Sequence, residues 1–172
     1  TSLQGIRAMA VLANGGMLVR PHILAGVSGL EGKAGLPPEE KPVRILSPET
    51  AAFLSTVLER VAAPGGTAAR AQIAGYHVCG KTGTAQKCIN GVFSHAHFVS
   101  SFIGYVVRNG RSPVIISVNV DEPKGLYYGG VVAAPAFREV LWRILQYWDI
   151  PPDTKLRSVQ LALRTHASQR TD

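Results

Sequence analysis

Apolar residues recur at helical spacing in three segments of the 172-residue chain. The first covers residues 1–13 and is followed by Gly15-Gly16, a pair typical of a helix end. The second has Ser47 in the capping position and Pro48 at the first helical position, and it ends before Pro64. Its predicted apolar stripe consists of Phe53, Leu54, Val57, Leu58 and Val61.

A third helix is predicted to begin at Pro135 and to end before Pro151. Its predicted apolar stripe consists of Phe137, Val140, Leu141, Ile144, Leu145 and Trp148. Between the second and third helices the pattern predicts strands over residues 76–86, 98–107 and 114–120, the last of them with one apolar face.

Asn109-Gly110, between the last two predicted strands, is typical of the tight turn of an antiparallel hairpin. Helices that flank an antiparallel sheet predict the α+β class. Residues 17–25, interrupted by Pro21, predict an edge strand or an extended segment. Residues 26–42 are rich in glycine, proline and charge, which favours an excursion on the surface.

The composition, with 46% hydrophobic and 17% charged residues, is typical of a globular protein. No apolar run reaches the length of a membrane span, and the first residues lack the pattern of a signal peptide. The net charge of +7 comes from scattered basic residues without aromatic interleaving, so no nucleic acid partner is expected. Because the chain begins at Thr1, we expect it to be a piece of a longer polypeptide.

The two cysteines, Cys79 and Cys88, are expected to be free thiols. An extended strand between them would separate them by roughly 30 Å, which is too far for a disulfide. His77, His95 and His97 lie nearby in sequence, but no usual Cys/His ligand spacing is met. Neither a metal nor a cofactor is therefore expected.

Residues 75–82 satisfy the phosphate-loop pattern of two glycines followed by lysine and a hydroxyl residue. Such a loop needs a helix directly after the lysine, here Lys81, to aim its N–H groups at the phosphates. Gly83 and Asn90-Gly91 would break that helix, and the Asn109-Gly110 hairpin makes the later strands antiparallel, not parallel. A nucleotide-binding protein is therefore a remote alternative.

Lys81-Thr82-Gly83-Thr84 can instead form a strand at the edge of a cleft. The Lys81 cation would orient a substrate carboxylate and tune proton transfers around a serine, while the two threonine hydroxyls bind that carboxylate. Gly83 would let an acyl group lie against the backbone, and an N–H near Thr84 would form half of an oxyanion hole. Taken alone, the motif is too short to be specific and favours an ordinary exposed strand lysine.

Six groups of residues in order along the chain make this interpretation more specific. They are residues 1–5, residues 12–17 with 20–21, residues 80–86, residues 101–104, residues 121–125, and residues 127–130 with 134–135. With them the chain resembles the C-terminal part of the transpeptidase domain of class B penicillin-binding proteins. The resemblance covers residues 1–152 and leaves 153–172 as a polar C-terminal tail. It implies part of a penicillin-binding, or serine β-lactamase-like, transpeptidase fold.

The resemblance implies a peptidoglycan D,D-transpeptidase, which cross-links stem peptides through a serine acyl-enzyme and is the target of β-lactams. The residues that it assigns to catalysis are Lys81 and Thr84. Those that it assigns to substrate binding are Thr82, Gly83, Thr84, Tyr127 and Tyr128. The two tyrosines would form an aromatic wall beside the acyl site, with packing in a loop as the alternative. A non-catalytic penicillin-recognising sensor or scaffold is the alternative function.

The chain departs from the family pattern in one respect: no serine is followed three residues later by lysine, and no convincing Ser-x-Asn is present. The resemblance places both upstream, so this chain alone is expected to be inactive. The implied partners are the N-terminal portion of the same protein, the stem peptide and β-lactams. The implied location is the extracytoplasmic face of the inner membrane, with an anchor upstream.

Overall fold

A three-stranded antiparallel sheet forms the centre of the fold, in a computed structural model that describes residues 1–23, 41–107 and 114–153. In chain order the elements are α1 (Ser2–Ala13), β1 (Met17–Leu18), β2 (Val43–Arg44), α2 (Pro48–Ala62), a 3₁₀ helix (Ala69–Ala71), β3 (His77–Ile89), β4 (Val92–Val107), β5 (Ile115–Asp121) and α3 (Gly129–Tyr147). Strands β3, β4 and β5 neighbour one another in that order. The predicted α+β class is confirmed.

Helices α1 and α2 begin where their sequences predict. The Thr1 side chain accepts a hydrogen bond from the backbone N–H of Gln4, and the Gln4 side chain completes a capping box. The Ser47 side chain accepts from the N–H of Thr50, with Pro48 in the first turn. Local capping chemistry therefore determines both starts.

The predicted apolar stripe of α2 is only partly correct. Phe53 and Val57 are 67% and 45% exposed, so this part of the stripe is not buried within the described residues. The buried positions are Ala51 and Ala62, because α2 packs closely on β3 and small side chains permit that approach. The remaining stripe residues are half-buried: Leu54, Leu58 and Val61.

A second hairpin, not among those that the sequence predicts, joins β3 to β4. Asn90 and Gly91 have φ values of 50° and 82°, the backbone that a two-residue type I′ turn requires. The first two predicted strands, 76–86 and 98–107, are therefore longer than expected and meet at this turn. The Asn90-Gly91 pair, predicted from the sequence only as a helix breaker, therefore forms the turn between β3 and β4.

The predicted antiparallel pairing of the last two strands is confirmed, with Gly104 opposite Ile116. The Asn109-Gly110 turn itself lies outside the described residues. In the described part of the predicted extended segment 17–25, residues 17–23, a strand forms only at Met17–Leu18, which pairs with β2. Most of the predicted excursion 26–42 also lies outside the described residues.

The prediction that Pro135 opens the last helix is wrong. Helix α3 begins six residues earlier, at Gly129, and Pro135 lies inside it. Proline has no N–H to donate to the carbonyl four residues back, that of Val131. The Arg70 guanidinium donates to that carbonyl instead, with Nη1 3.5 Å from the oxygen, so a distant residue helps to accommodate the proline.

Helices cover both faces of the sheet. One face packs on α3, where Phe137, Leu141 and Leu145 are fully buried as predicted; Val140 and Trp148 of the same predicted stripe are exposed. The other face packs on α1 and α2. Its buried cluster contains Met9, Cys79 and Tyr105.

Alternation along β3 assigns the motif residues to these faces. Val78 belongs to the α3 cluster and Cys79 to the α1–α2 cluster. Successive strand residues point to opposite faces, so Thr82 and Thr84 share the α3 face. Lys81 and Gly83 lie on the other face.

The predicted polar tail, 153–172, lies outside the described residues except for Asp153. Its backbone N–H donates to the carbonyl of Gly75, at 2.8 Å. Within the described ranges, no helix combines the length and the apolar character that crossing a membrane requires.

Candidate active site

The predicted motif lies on β3, at one edge of the sheet. Lys81, Thr82, Gly83 and Thr84 pair in regular register with residues 103 to 100 of β4. In the described part of the chain β4 is the only neighbour of β3, so its outer edge presents unpaired backbone groups. The strand continues to Ile89 with no helix after Lys81, which is incompatible with a phosphate loop.

Lys81 carries its cation at this open edge. The side chain is exposed, and its Nζ donates to the carbonyl of Thr82 at 2.9 Å. An exposed ammonium on a flexible stem can turn from that carbonyl towards an anionic ligand.

Thr82 lies beside the loop that follows α2. No sequence motif predicts that this loop is part of the site. The side-chain oxygens of Thr82 and Thr67 are 3.5 Å apart. Thr67 follows Gly65-Gly66 after the end of α2. Since 15 residues separate the two threonines, no local sequence pattern indicates this pairing.

Thr84 contacts the first turn of α3. The backbone N–H of Gly129 donates to Thr84 Oγ1 at 3.3 Å. Because this N–H occupies a lone pair of the hydroxyl, the Thr84 proton remains available to an acceptor in the cleft. The N-terminus of α3 also carries a partial positive charge, which favours an anion close to Thr84.

Gly129 is required at that contact. A Cβ there would lie 2.2 Å from the carbonyl oxygen of Ser101 and 2.5 Å from that of Gly83. Both neighbours are backbone atoms of the central sheet, which cannot move aside independently. Only glycine lets α3 begin directly against the motif strand.

Packing against β4 constrains the residue type at position 83. A Cβ at Gly83 would lie 2.4 Å from Ser101 Oγ, on the paired residue of β4. A side chain at Gly83 would therefore displace Ser101 before it reached any ligand.

Tyr127 and Tyr128 lie at the same end of the sheet as Thr84. Tyr127 stacks on Phe98, with centroids 4.2 Å apart and planes 8° from parallel. The Tyr128 ring is tilted against that of Tyr127, with centroids 4.7 Å apart, and the neighbouring Tyr128 side chain raises the pKa of Tyr127. Tyr127 is half-buried whereas Tyr128 is 56% exposed, so the first packs and the second faces solvent.

Ser100 holds this aromatic pair against the motif. Its fully buried hydroxyl donates to the carbonyl of Tyr127, and Ser100 is the register partner of Thr84. Two consecutive polar residues, Ser100-Ser101, interrupt the otherwise apolar stretch 98–107 of β4. That interruption is the sequence feature that could have identified them.

Cys79 and Cys88 are free thiols at different depths of β3. The Cys79 thiol donates to the carbonyl of Ser55 at 3.3 Å, and the Ser55 hydroxyl lies 2.7 Å from that of Tyr105. Burial raises the pKa of Cys79, and that of Tyr105, to about 12. Both therefore stay protonated at neutral pH, while Cys88 is exposed.

Comparison with known sequences identifies the family of the chain. Residues 1–142 match the family described as "Penicillin binding protein transpeptidase domain". The probable peptidoglycan D,D-transpeptidase PenA of Neisseria gonorrhoeae is 35% identical over 156 residues, which cover 90% of this chain and 25% of PenA. The stage V sporulation protein D of Bacillus subtilis is 36% identical over 146 residues, or 82% of this chain and 22% of that protein.

Solved structures give the same result. Penicillin-binding protein 3 of Mycobacterium tuberculosis, complexed with ampicillin, has a TM-score of 0.79 at 27% identity and covers 90% of this chain and 36% of its own. The transpeptidase domain of Burkholderia pseudomallei penicillin-binding protein 3 has a TM-score of 0.68 at 33% identity, over 88% of this chain and 43% of that domain structure. This chain spans about a quarter of the length of its curated relatives. It belongs to the penicillin-binding protein transpeptidase family.

Proposed function

We propose that the complete protein is a peptidoglycan D,D-transpeptidase, to which this chain contributes the Lys81–Thr84 wall of the active site. The observation that carries the proposal is the exposed motif strand, bounded by the first turn of α3 and by the tyrosine pair. Membership of the transpeptidase family and the names of the relatives support the same activity.

The nucleophile comes from elsewhere in the complete protein. This chain contains no Ser-x-x-Lys sequence. We assign that sequence and Ser-x-Asn to the N-terminal portion of the same protein. Several large apolar side chains, among them Phe53 and Val57, are exposed here, and that portion would cover them.

The donor substrate of such an enzyme is a stem peptide that ends in D-Ala-D-Ala. Its terminal carboxylate would accept one hydrogen bond from the Thr84 hydroxyl and a second from that of Thr82. The Thr84 hydroxyl can donate because its oxygen already accepts the Gly129 N–H. Lys81 would leave the Thr82 carbonyl and add its positive charge. The open edge of β3 offers backbone groups along which the peptide can lie extended.

The reaction then proceeds in two balanced transfers. The serine oxygen attacks the carbonyl of the penultimate D-alanine, an N–H near Thr84 stabilises the oxyanion, and the terminal D-alanine leaves as an amine that takes up a proton. An acceptor amine next attacks the acyl carbonyl, the ester bond to serine breaks, and one proton of that amine passes to the serine oxygen. Lys81 keeps the local potential positive, which favours the deprotonated nucleophile in each transfer.

A β-lactam would enter by the same route. Its ring amide opens on attack, and the leaving amine stays tethered to the acyl group, so the covalent enzyme persists. Tyr127 and Tyr128 would flank the acyl chain as an apolar wall beside Thr84.

The proposed location is the cell envelope, at the extracytoplasmic face of the inner membrane, where the peptidoglycan substrate lies. An anchor upstream of this chain would hold the enzyme there. Fractionation of cells that express the complete protein, followed by protease treatment of intact spheroplasts, tests this location. Protection from the protease would contradict it.

Labelling of the complete protein by a fluorescent penicillin, followed by transfer from a stem-peptide donor to an amine acceptor, tests the activity. We expect covalent label on an upstream serine and turnover of the donor. Absence of label would contradict the proposal. Label without transfer would instead indicate a penicillin-recognising sensor, because a sensor stays acylated.

A further inference from the structure

The pairing of β3 with β4 contains one irregular stretch next to the site. Gln86 pairs with Phe98 and Cys88 pairs with Phe93, so Lys87 on β3 faces four residues of β4, numbers 94–97. The extra residues of this irregular stretch belong to β4, which bends there. Lys87 keeps the alternation of β3, so it shares a face with Ala85 and with Asp121, which are aligned across the sheet through Val99.

Lys87 crosses to the far strand of the sheet. Its Nζ lies 3.0 Å from Asp121 Oδ1 and 2.7 Å from Glu122 Oε1. Asp121 ends β5, and Glu122 begins the loop that leads to Tyr127. The Lys87 side chain is only 30% exposed, less than either carboxylate, so it is held between strands.

Glu122 is held in an unusual conformation at this point. Its φ is 47°, in the left-handed region that few residues other than glycine adopt. Its backbone N–H donates to the carbonyl of Phe98 at 2.9 Å, and its carboxylate lies 3.4 Å from His97 Nδ1. Contacts from both β3 and β4 therefore impose the turn that starts the loop.

The loop of residues 122–128 is thus attached at its two ends. At its start, Lys87 and Phe98 hold Glu122; at its end, Thr84 and Ser100 hold Gly129 and Tyr127. Between these ends the Tyr127 ring stacks on Phe98, the residue whose carbonyl receives the Glu122 N–H. Movement at Glu122 would therefore be transmitted to the tyrosines.

We propose that Lys87 is a positioning residue, which ties Asp121 and Glu122 to β3 and thereby sets where Tyr127 and Tyr128 stand beside Thr84. The proposal rests on the proposed function, because it assigns a use to the aromatic wall of that site. Lys87 acts through the loop and not on the reacting atoms. Its loss should weaken ligand binding more than it slows the chemical step.

The test uses the complete protein with Lys87→Met, which keeps an unbranched side chain and removes the charge, and with Lys87→Arg, which keeps the charge. Lys124→Met, at an exposed lysine of the same loop, is the matched control. The rate of acylation by a fluorescent penicillin is measured against its concentration. This separates the half-saturating concentration from the limiting rate.

We expect Lys87→Met to raise the half-saturating concentration about three- to tenfold, the range for losing two exposed ion pairs, with little change in the limiting rate. Lys87→Arg should restore it to within about twofold, and Lys124→Met should match the wild type. Adding Glu122→Gln to Lys87→Met should produce little further loss, since both changes break the same contact.

Three results would overturn the proposal: wild-type binding in Lys87→Met, equal loss in Lys87→Arg, or additive effects of Lys87→Met and Glu122→Gln. A second readout does not depend on activity. With fluorotyrosine at Tyr127, Lys87→Met should shift or broaden the fluorine resonance, whereas Lys124→Met should not. An unchanged resonance in Lys87→Met would refute the attachment of the loop by Lys87, whether or not the protein is labelled by penicillin. Failure of the wild-type protein to take the label would contradict only the proposed function.

Discussion

Replacing Gly129 by alanine introduces a methyl group where the backbone of two strands already lies. The new Cβ would be 2.2 Å from the Ser101 carbonyl oxygen, and reaching the 3.0 Å limit seen for real Cβ atoms needs a shift of about 0.8 Å. Overpacking of this kind costs about 1–3 kcal/mol, and the strained Gly129 N–H bond to Thr84 adds about 1 kcal/mol. Alanine's better helix propensity offsets about 1 kcal/mol of this, so we expect a net loss of about 2 kcal/mol.

Gly125→Ala is the matched control in the same loop. Gly125 has a φ of +83°, and an added Cβ would meet nothing within 4 Å, so only backbone strain of about 1 kcal/mol opposes alanine there. Urea unfolding of the complete protein compares the two variants, and penicillin labelling shows whether Thr84 remains in place. Equal stability of Gly129→Ala and wild type, or a larger loss for Gly125→Ala, would refute the close approach of α3 to the motif strand.

Two further predictions concern other residues of the sheet. Ser100→Ala should lower the free energy of unfolding by about 1–2 kcal/mol in urea titration, because it leaves the Tyr127 carbonyl without its buried donor; unchanged stability would contradict that bond. Iodoacetamide at neutral pH should alkylate Cys88 and spare Cys79 in peptide mapping, since burial raises the pKa of Cys79 to about 12 and keeps its thiolate scarce until the pH approaches that value. Equal modification of both cysteines in the folded protein would contradict this result.

Much of the fold can be predicted from local patterns. The starts of α1 and α2 depend on Thr1 and Ser47, whose side chains bond to residues three positions later. The Asn90-Gly91 turn is equally readable from its two residues. An Asn-Gly pair that would break a helix also favours a two-residue hairpin, and only the second property operates here.

The start of α3 cannot be read in the same way. Pro135 is a good first residue for a helix, and the small residues before it carry no strong apolar pattern. The helix begins at Gly129 because that residue, which has no side chain, fits against the backbone of Ser101 and Gly83. Its first turns also tolerate Pro135, because Arg70 donates a hydrogen bond to the Val131 carbonyl, which Pro135 cannot do. Both causes depend on residues far away in sequence.

The residues of the candidate site also fall into those that local sequence predicts and those that depend on distant parts of the chain. Lys81-Thr82-Gly83-Thr84 and the two tyrosines follow from the order of short motifs along the chain. Thr67, Ser100 and Lys87 reach the site through strand register and packing. Of these three, only Ser100 can be noticed in the sequence, as a polar residue within the largely apolar stretch 98–107.

The central claim is that Lys81 serves the acyl transfer, and one measurement tests it most directly. The rate of labelling by a fluorescent penicillin is compared between the complete protein and its Lys81→Ala variant, with melting curves to verify folding. Because Lys81 is exposed and bonds only to the neighbouring Thr82 carbonyl among the described contacts, the variant should fold normally. Labelling slowed by orders of magnitude in a folded variant is the predicted result, and near-normal labelling would remove Lys81 from the proposed role.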